Sequence, residues 1–331
     1  MGVVEVVRAG LVEARHSVQV VVADSRGSLL ASVGDVDWLT YYRSAAKPLQ
    51  ALPLLDEGVL ERFGLTDAEL ALCCASHEGE SDHVEGARSI LRKAGLDEAL
   101  LRCGPHLPFS EQATRALLAG GGQPGRVHNN CSGKHAGMLA LASAMAWDPI
   151  DYHLPHHLVQ LRMLDEICRW TLLERDQIRT GNDGCGVVCF AVPLHVMAAS
   201  FARFAGAAQT DEGPRRVVAA MTAHPFMVGG TGRTCTDVMT RAQGRAFVKL
   251  GAEGVYVGGV PEQGLGFAIK VADGGRRAVE VALVRVLAEL GVLSGADVEA
   301  LREHANPTLR NTRGEEVGEI RAAFDLASVV A

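Results

Sequence analysis

The sequence predicts an α/β protein of the α+β type, with an antiparallel sheet flanked by helices and a helical subdomain inserted in its middle. Three observations carry this. Valine-rich runs with turn signals stand near the start of the chain. Three further short runs, joined by glycine-containing turns, stand near its end. Helical patterns fill the middle, without the repeated strand–helix–strand unit of a doubly wound fold. The expected organisation is one domain over residues 1–331, with a sheet layer at about 1–42 and 244–331 and a helical part at about 43–243.

Residues 3–8 and 17–24 read as strands, and Asp24-Ser25-Arg26-Gly27 turns the second into a hairpin partner at Ser28–Val33. Ser44–Leu55 reads as a helix that tolerates Pro48 only near its first turn. Thr66 caps Asp67–Cys74, and Glu69 completes a capping box. Ser81 caps a helix through Lys93 that Gly95 ends, and Ser110 caps a shorter one reaching Gly120–Gly122. Cys131–Trp147 and Pro155–Arg175 follow as helices, with glycine-rich turn material at Gly181–Gly186. Pro193–Phe204, Glu212–Ala223 and Asp237–Arg241 read as helices, then 245–250, 254–260 and 265–271 as strands. Arg276–Leu290 is a closing helix and Val317–Phe324 a last strand.

The 331 residues are 48% apolar, enough for a sizeable core, and carry a net charge of -7. An acidic chain without a Lys/Arg block argues against a nucleic-acid partner. The start lacks a basic segment followed by an apolar one, and no run approaches the roughly 20 apolar residues of a membrane span. A cytoplasmic protein with no membrane partner is expected. Eight cysteines are present and none forms a C-x-x-C pair, which favours thiols or metal ligands over disulfides. Cys73, Cys74, Cys103 and Cys168 read as core thiols.

Three constellations bear on chemistry. Arg43-Ser44-Ala45-Ala46-Lys47-Pro48 places Ser44 and Lys47 three apart at a helix start, where an amine reaches a hydroxyl on the same face. A serine becomes a nucleophile when a base takes its proton, and a buried lysine is such a base. The bland alternative is a capping serine beside a solvated lysine. Second, Cys73-Cys74-Ala75-Ser76-His77-Glu78 ends a buried element in a polar cluster, and Lys249 stands at the end of a strand. Third, Cys131, Lys134 and His135 share one helix start, and Cys185 lies in the turn Gly181–Gly186. Thiolates are strong zinc ligands and lysine is a rare one, so chemistry alone nominates Cys131, His135 and Cys185. Buried cysteines beside an anion nest are the other reading.

Arg43-Ser-Ala-Ala-Lys-Pro, Cys74-Ala-Ser-His, Asn130-Cys-Ser-Gly-Lys-His, Asp183-Gly-Cys and Lys249-Leu-Gly-Ala occur in that order. In this the chain resembles the class 3, Rhizobium etli-type L-asparaginases, from about residue 4 to about 324. The resemblance implies a fold like that of serine β-lactamases, penicillin-binding proteins and glutaminases. It implies hydrolysis of L-asparagine through two serine–lysine pairs, Ser44 with Lys47 and Ser76 with Lys249. It implies one zinc ion held by Cys131, Lys134 and Cys185, which displaces His135 from the ligand set. Arg43, His77, Asn130, Gly133, His135, Asp183 and Gly184 are then expected around the substrate, and a homodimer is expected in solution. Two positions depart from the pattern: Asn182 precedes Asp183-Gly-Cys in place of a threonine, and Cys189 replaces a non-cysteine residue. Rival readings are an L-glutaminase or other small amidohydrolase, one using zinc-bound water included, a penicillin-recognising acyltransferase, and a non-catalytic zinc or amino-acid binding module.

Overall fold

A computed structural model describes residues 2–328. The chain divides into two compact units, one built from residues 1–45, 192–209 and 237–331, the other from 46–191 and 210–236. No helix among the described residues is long and apolar enough to cross a membrane.

The first unit is built on an antiparallel sheet. Its strands are β1 (Gly2–Arg8), β2 (Leu11–Asp24), β3 (Leu29–Val33), and, after β4 (Leu39–Tyr41) and the second unit's β5 (Arg179–Asn182) and β6 (Val188–Pro193), β7 (Phe247–Leu250), β8 (Val255–Val260), β9 (Leu265–Val271), β10 (Thr308–Arg310), β11 (Glu316–Ala322) and β12 (Ala327–Ser328). The main path runs β10-β11-β1-β2-β9-β8-β7. β2 is the spine. One of its edges is filled by β9, from Val18↔Val271 to Asp24↔Leu265. The other is shared in succession by β1 over Leu11–Val18 and β3 over Val20–Ala23. β2 begins at Leu11 rather than at 17, because Leu11–Arg15 alternates exposed and half-buried residues that a search for valine-rich runs passes over.

The helix Leu194–Ala207 packs on β2, β8 and β9 and belongs to this unit. The sequence division placed it in the helical part. The reason it docks here is a row of glycines. A Cβ on Gly266 would lie 2.0 Å from the Ala202 nitrogen, and one on Gly259 would lie 2.8 Å from Ala205 Cβ. Phe201, Phe204 and Phe247 close over this seam, with centroids 5.5 to 6.4 Å apart. The helix Arg276–Glu289 packs against β9 and β11 through its buried Ala278, Val279, Ala282, Leu283 and Val286.

The second unit is mostly helical. Its centre is the helix Ser132–Ala144, in which every residue but Ser143 is buried. It packs on the helices Asp67–Cys73, Ser81–Lys93 and Leu158–Thr171. Gly133 and Gly137 permit the close approach: their Cβ atoms would lie 2.3 Å from Leu72 O and 2.8 Å from Cys73 Sγ. The predicted capping box forms, with Glu69 N–H donating to Thr66 Oγ1 and Thr66 N–H to Glu69 Oε2 at 2.7 Å. Ser81 is not the cap of its helix; Glu80 is.

Two further expectations need correction. Ser44–Leu55 is not one helix but a 3-10 turn at Arg43–Ala46 and two short helices, Lys47–Gln50 and Pro53–Asp56. Pro48 and Pro53 each remove a backbone donor, so a continuous ladder cannot form. β6 was not expected at all: Val187–Val192 is an unbroken apolar run, and periodicity is blind to a strand buried on both faces. It pairs antiparallel with β5, from Arg179↔Ala191 to Asn182↔Val188. Replacing Gly266 by Ala is expected to lower unfolding free energy by about 2–3 kcal/mol in urea denaturation, because the methyl group strikes helix backbone that has no soft way to yield.

Candidate functional site

In the second unit, the helix Asp67–Cys73 ends at Cys74 and the chain runs out extended through Ser76–Glu78 before Gly79 turns it at φ +74°. This segment is pinned on both sides. Ser76 N–H donates to Val228 O at 3.1 Å, Glu78 N–H to Gly229 O at 3.0 Å, and His77 N–H to Asn130 O at 3.1 Å. Extended geometry sends Ser76 and Glu78 to one face and His77 to the other.

Lys47 is fully buried. Its Nζ donates to Ala75 O, to Ser76 Oγ at 2.9 Å and to Cys131 Sγ at 3.1 Å. Thus the hydroxyl that Lys47 holds is Ser76, the serine the sequence paired with Lys249. On the opposite face, Gly79 N–H donates to His77 Nδ1 at 3.1 Å. The ring proton therefore sits on Nε2 and is donated to Ser132 Oγ at 3.0 Å. His77 stacks on His83 at 4.8 Å. Burial first, then the neighbouring His83 and Lys47, push the His77 pKa well below the ordinary histidine value. His83 is lowered too, chiefly by burial.

Cys131 sits at the N-cap of the central helix, where its N–H donates to Asn129 Oδ1 at 2.9 Å. One turn on, Lys134 Nζ lies 3.1 Å from Cys185 Sγ and 3.8 Å from Asp183 Oδ2. Cys185 is delivered by the turn between β5 and β6, which closes with Asp183 N–H on Val187 O at 2.8 Å and Gly186 N–H on Asp183 O at 2.9 Å. Gly186 adopts φ +92°, a conformation that demands glycine. Gly184 N–H caps Asp183 Oδ1 at 2.9 Å. The two thiols share a proton. The hydrogen bond from Cys131, aided by the Lys134 cation, draws Cys185 down to about 5 against its burial. The same bond and burial push Cys131 up to about 12. Although burial opposes it, the charge on Cys185, then Cys131 and Asp183, holds Lys134 as ammonium.

Among the described residues no three His, Cys, Asp or Glu side chains form a metal-binding group. His135 therefore does not join the two thiols, and the set nominated by chemistry alone is not assembled. Cys185 bonds both Lys134 and Cys131, and three such donors gathered about one thiol suit a small tetrahedral ion at roughly 2.0–2.3 Å from each. Entry of such an ion must displace the protons now on Lys134 and Cys131. His135 is fully buried and bonds through Nδ1 to Tyr152 Oη at 2.5 Å. Burial lowers its pKa to about 3. Asn130 N–H donates to His106 Nε2 at 3.0 Å, and Asn130 O accepts from His77. Gly133 faces Leu72.

In the first unit, Ser44 is buried in the 3-10 turn, and Ala45 N–H donates to Tyr42 O at 3.0 Å. Arg43 has φ +51°, a strained backbone for a residue with a side chain. Lys249, fully buried on β7, donates to Leu250 O at 2.8 Å. A Cβ on Gly251 would lie 2.6 Å from Tyr42 O, so the end of β7 runs against the residue two before Ser44. Each unit thus carries one serine and one lysine of the four candidates.

Sequence reasoning passed over Glu78, Arg233, Ser132 and Tyr152. Glu78 and Arg233 form a buried ion pair, with side chains 11% and 10% exposed. Gly230, at φ +114°, lets the 229–233 loop wrap Glu78, and Thr231 N–H donates to Glu80 Oε1 at 2.8 Å. The run Gly229-Gly230-Thr231-Gly232 before Arg233 was the available signal.

A hydroxyl held by a buried amine is the equipment of a hydrolase that works by acyl transfer. The chain belongs to the L-asparaginase II family, whose model matches residues 4–322. That is a family of amidohydrolases acting on asparagine. Among curated proteins nothing matches the chain. It is similar to two crystal structures of a protein named Mglu. One, in its native form in the presence of 4.3 M NaCl, is 15% identical with a TM-score of 0.39, over 85% of this chain and 62% of that one. The other is 16% identical with a TM-score of 0.40, over 83% and 67%. The chain therefore spans less than two thirds of the first of these relatives, and likeness at these scores carries no argument about fold or activity.

Two outcomes follow from these electrostatics. Glu78→Ala leaves the Arg233 guanidinium buried without its partner and is expected to destabilise by about 3–5 kcal/mol in chemical denaturation, with the double variant Glu78→Ala/Arg233→Met recovering part of the loss. His77, His83 and His135 are neutral in the folded chain, while the unfolded chain binds protons near pH 6.5. The unfolded state then holds more protons, so stability falls as pH drops from 6.5 towards the folded value of about 3 for His135. The slope, read from denaturation midpoints across that window, is about 1.4 kcal/mol per pH unit for His135; His77 and His83 add to it in the same direction.

Proposed function

We propose that this protein hydrolyses L-asparagine to L-aspartate and ammonia through a covalent serine ester, with Ser76 as nucleophile and Lys47 as its base. The observation that carries the reading is the 2.9 Å contact between Lys47 Nζ and Ser76 Oγ inside a buried site. Lys47 takes the Ser76 proton as Oγ attacks the side-chain carbonyl carbon. The C–N bond breaks, and the proton held by Lys47 passes to the leaving nitrogen, which departs as ammonia. Water then adds to the ester, its proton returns through Lys47 to Ser76 Oγ, and aspartate leaves.

Family membership supports asparagine as substrate. Glutamine is one methylene longer, a difference of about 1–3 kcal/mol in a fitted pocket. Asp183 suits the substrate α-ammonium, and His77, Asn130, Gly133, His135 and Gly184 surround it. Zinc held by Cys131, Lys134 and Cys185 would supply a fixed positive charge that orients an oxygen of the substrate. A cytoplasmic homodimer completes the reading.

A second reading gives the attack to Ser44, with Lys249 and Arg43 assisting. Its support is the strained backbone at Arg43 and the approach of β7 to Tyr42 through Gly251. Ammonia release from asparagine decides between them. Ser76→Ala and Lys47→Met are each expected to lower kcat by at least about 10³-fold, with the melting temperature of Ser76→Ala near wild type. Undiminished turnover in Ser76→Ala, with loss in Ser44→Ala, transfers the nucleophile to Ser44. Loss on chelation with only partial loss in both serine variants would instead assign the attack to metal-bound water.

A further inference from the structure

Tyr152 is fully buried, and its hydroxyl has two neighbours. It accepts from Arg102 N–H at 3.0 Å and meets His135 Nδ1 at 2.5 Å. The Arg102 amide can only donate, so the phenolic proton has one place to go, which is His135 Nδ1. A phenol that donates to Nδ1 requires a lone pair there. The single proton of a neutral imidazole then sits on Nε2. The ring of His135 is also fixed in angle, edge-on to Tyr152 at 81° and 5.6 Å between centroids. Yet His135 Nε2 is buried and has no hydrogen-bond partner. An orphaned buried donor is costly, and a fold that holds it in one orientation by a short bond on the other nitrogen has a use for it. His135 is one turn from Cys131, and Lys47, Cys131 and Lys134 all lie close enough to act electrostatically on its ring.

We propose that Tyr152 is a positioning residue: it locks His135 as the Nε2–H tautomer, and that N–H is the donor for an oxygen acceptor, carboxylate or amide carbonyl, of the amino-acid ligand. The inference rests on the asparaginase reading for the identity of the ligand, and on geometry alone for the tautomer. It separates two jobs in one histidine. Nδ1 is spent on orientation and Nε2 is kept for recognition.

The test uses the intact protein. In wild type, nitrogen-correlated NMR of the histidine rings is expected to show His135 as the Nε2–H tautomer in the absence of ligand. Tyr152→Phe keeps the ring and removes the lock. It is expected to mix the tautomers and to raise KM for asparagine about fivefold with kcat within twofold, the loss of one neutral hydrogen bond. His135→Gln, which keeps an N–H donor near the position of Nε2, is expected to bind asparagine more tightly than His135→Leu. A wild-type Nδ1–H tautomer, or an unchanged tautomer and KM in Tyr152→Phe, overturns the proposal. If wild type releases no ammonia, the asparaginase reading fails by itself. Calorimetry with L-aspartate then replaces KM: weaker binding in Tyr152→Phe than in wild type sustains the role of Tyr152, and equal binding ends it.

Discussion

A lysine amine removed entirely from water must find hydrogen-bonding partners inside the protein, or the burial is prohibitively costly. Lys47 meets that demand with Ala75 O, Ser76 Oγ and Cys131 Sγ. These three atoms belong to an extended segment and to the cap of the central helix. The amine therefore fixes the segment that carries Ser76 against the helix that carries Lys134 and His135. The nucleophile candidate and the metal-donor candidates are positioned by the same group. The backbone bonds from Ser76, His77 and Glu78 to Val228, Asn130 and Gly229 hold that segment from both edges, so the Ser76 hydroxyl has little freedom to leave the amine.

The charge distribution follows from the same constraint. Two amines and two thiols face one another as Lys47 with Cys131 and Lys134 with Cys185. The protonated thiol is Cys131 and the ionised one Cys185, because Lys134 and the hydrogen bond from Cys131 both favour charge on Cys185. The histidines are excluded from carrying charge by burial and by the amines beside them. The result is a site with a fixed cation, a fixed anion and neutral donors in between, which is the electrostatic form suited to a zwitterionic amino acid.

Much of the frame was legible in the sequence. The capping box at Thr66 and Glu69, the valine-rich strands and the helix after Cys131 follow from local rules, and local rules act over a few residues. What was not legible depends on long-range packing. The spacing of Ser44 and Lys47 spoke only of a local pair, and the 3-10 turn Arg43–Ala46 leads straight into the helix that Lys47 begins. The partner that Lys47 finds, Ser76, is 29 residues away and offers no spacing signal. The docking of the helix Leu194–Ala207 on β2, β8 and β9 depends on the close approach at Gly259 and Gly266, which no spacing in the sequence announces. Tyr152 and Arg233 are single residues without a motif, and their roles exist only through His135 and Glu78.

Glycine is what makes the central helix an instrument of the site and not only of the core. Gly133 and Gly137 let Ser132–Ala144 approach the helix Asp67–Cys73 until side chains are excluded from the seam. The first of these helices begins with Cys131 and the second ends just before Ser76. Their separation therefore sets the distance between thiol and hydroxyl, and Lys47 spans it with contacts of 3.1 and 2.9 Å. A methyl group at Gly133 would press on the Leu72 carbonyl, one residue from the end of that helix. The displacement would be delivered to Ser76 and Cys131 in opposite directions. Hydrogen bonds weaken steeply over a few tenths of an ångström, so the chemistry of the amine depends on a packing contact that touches none of the reacting atoms.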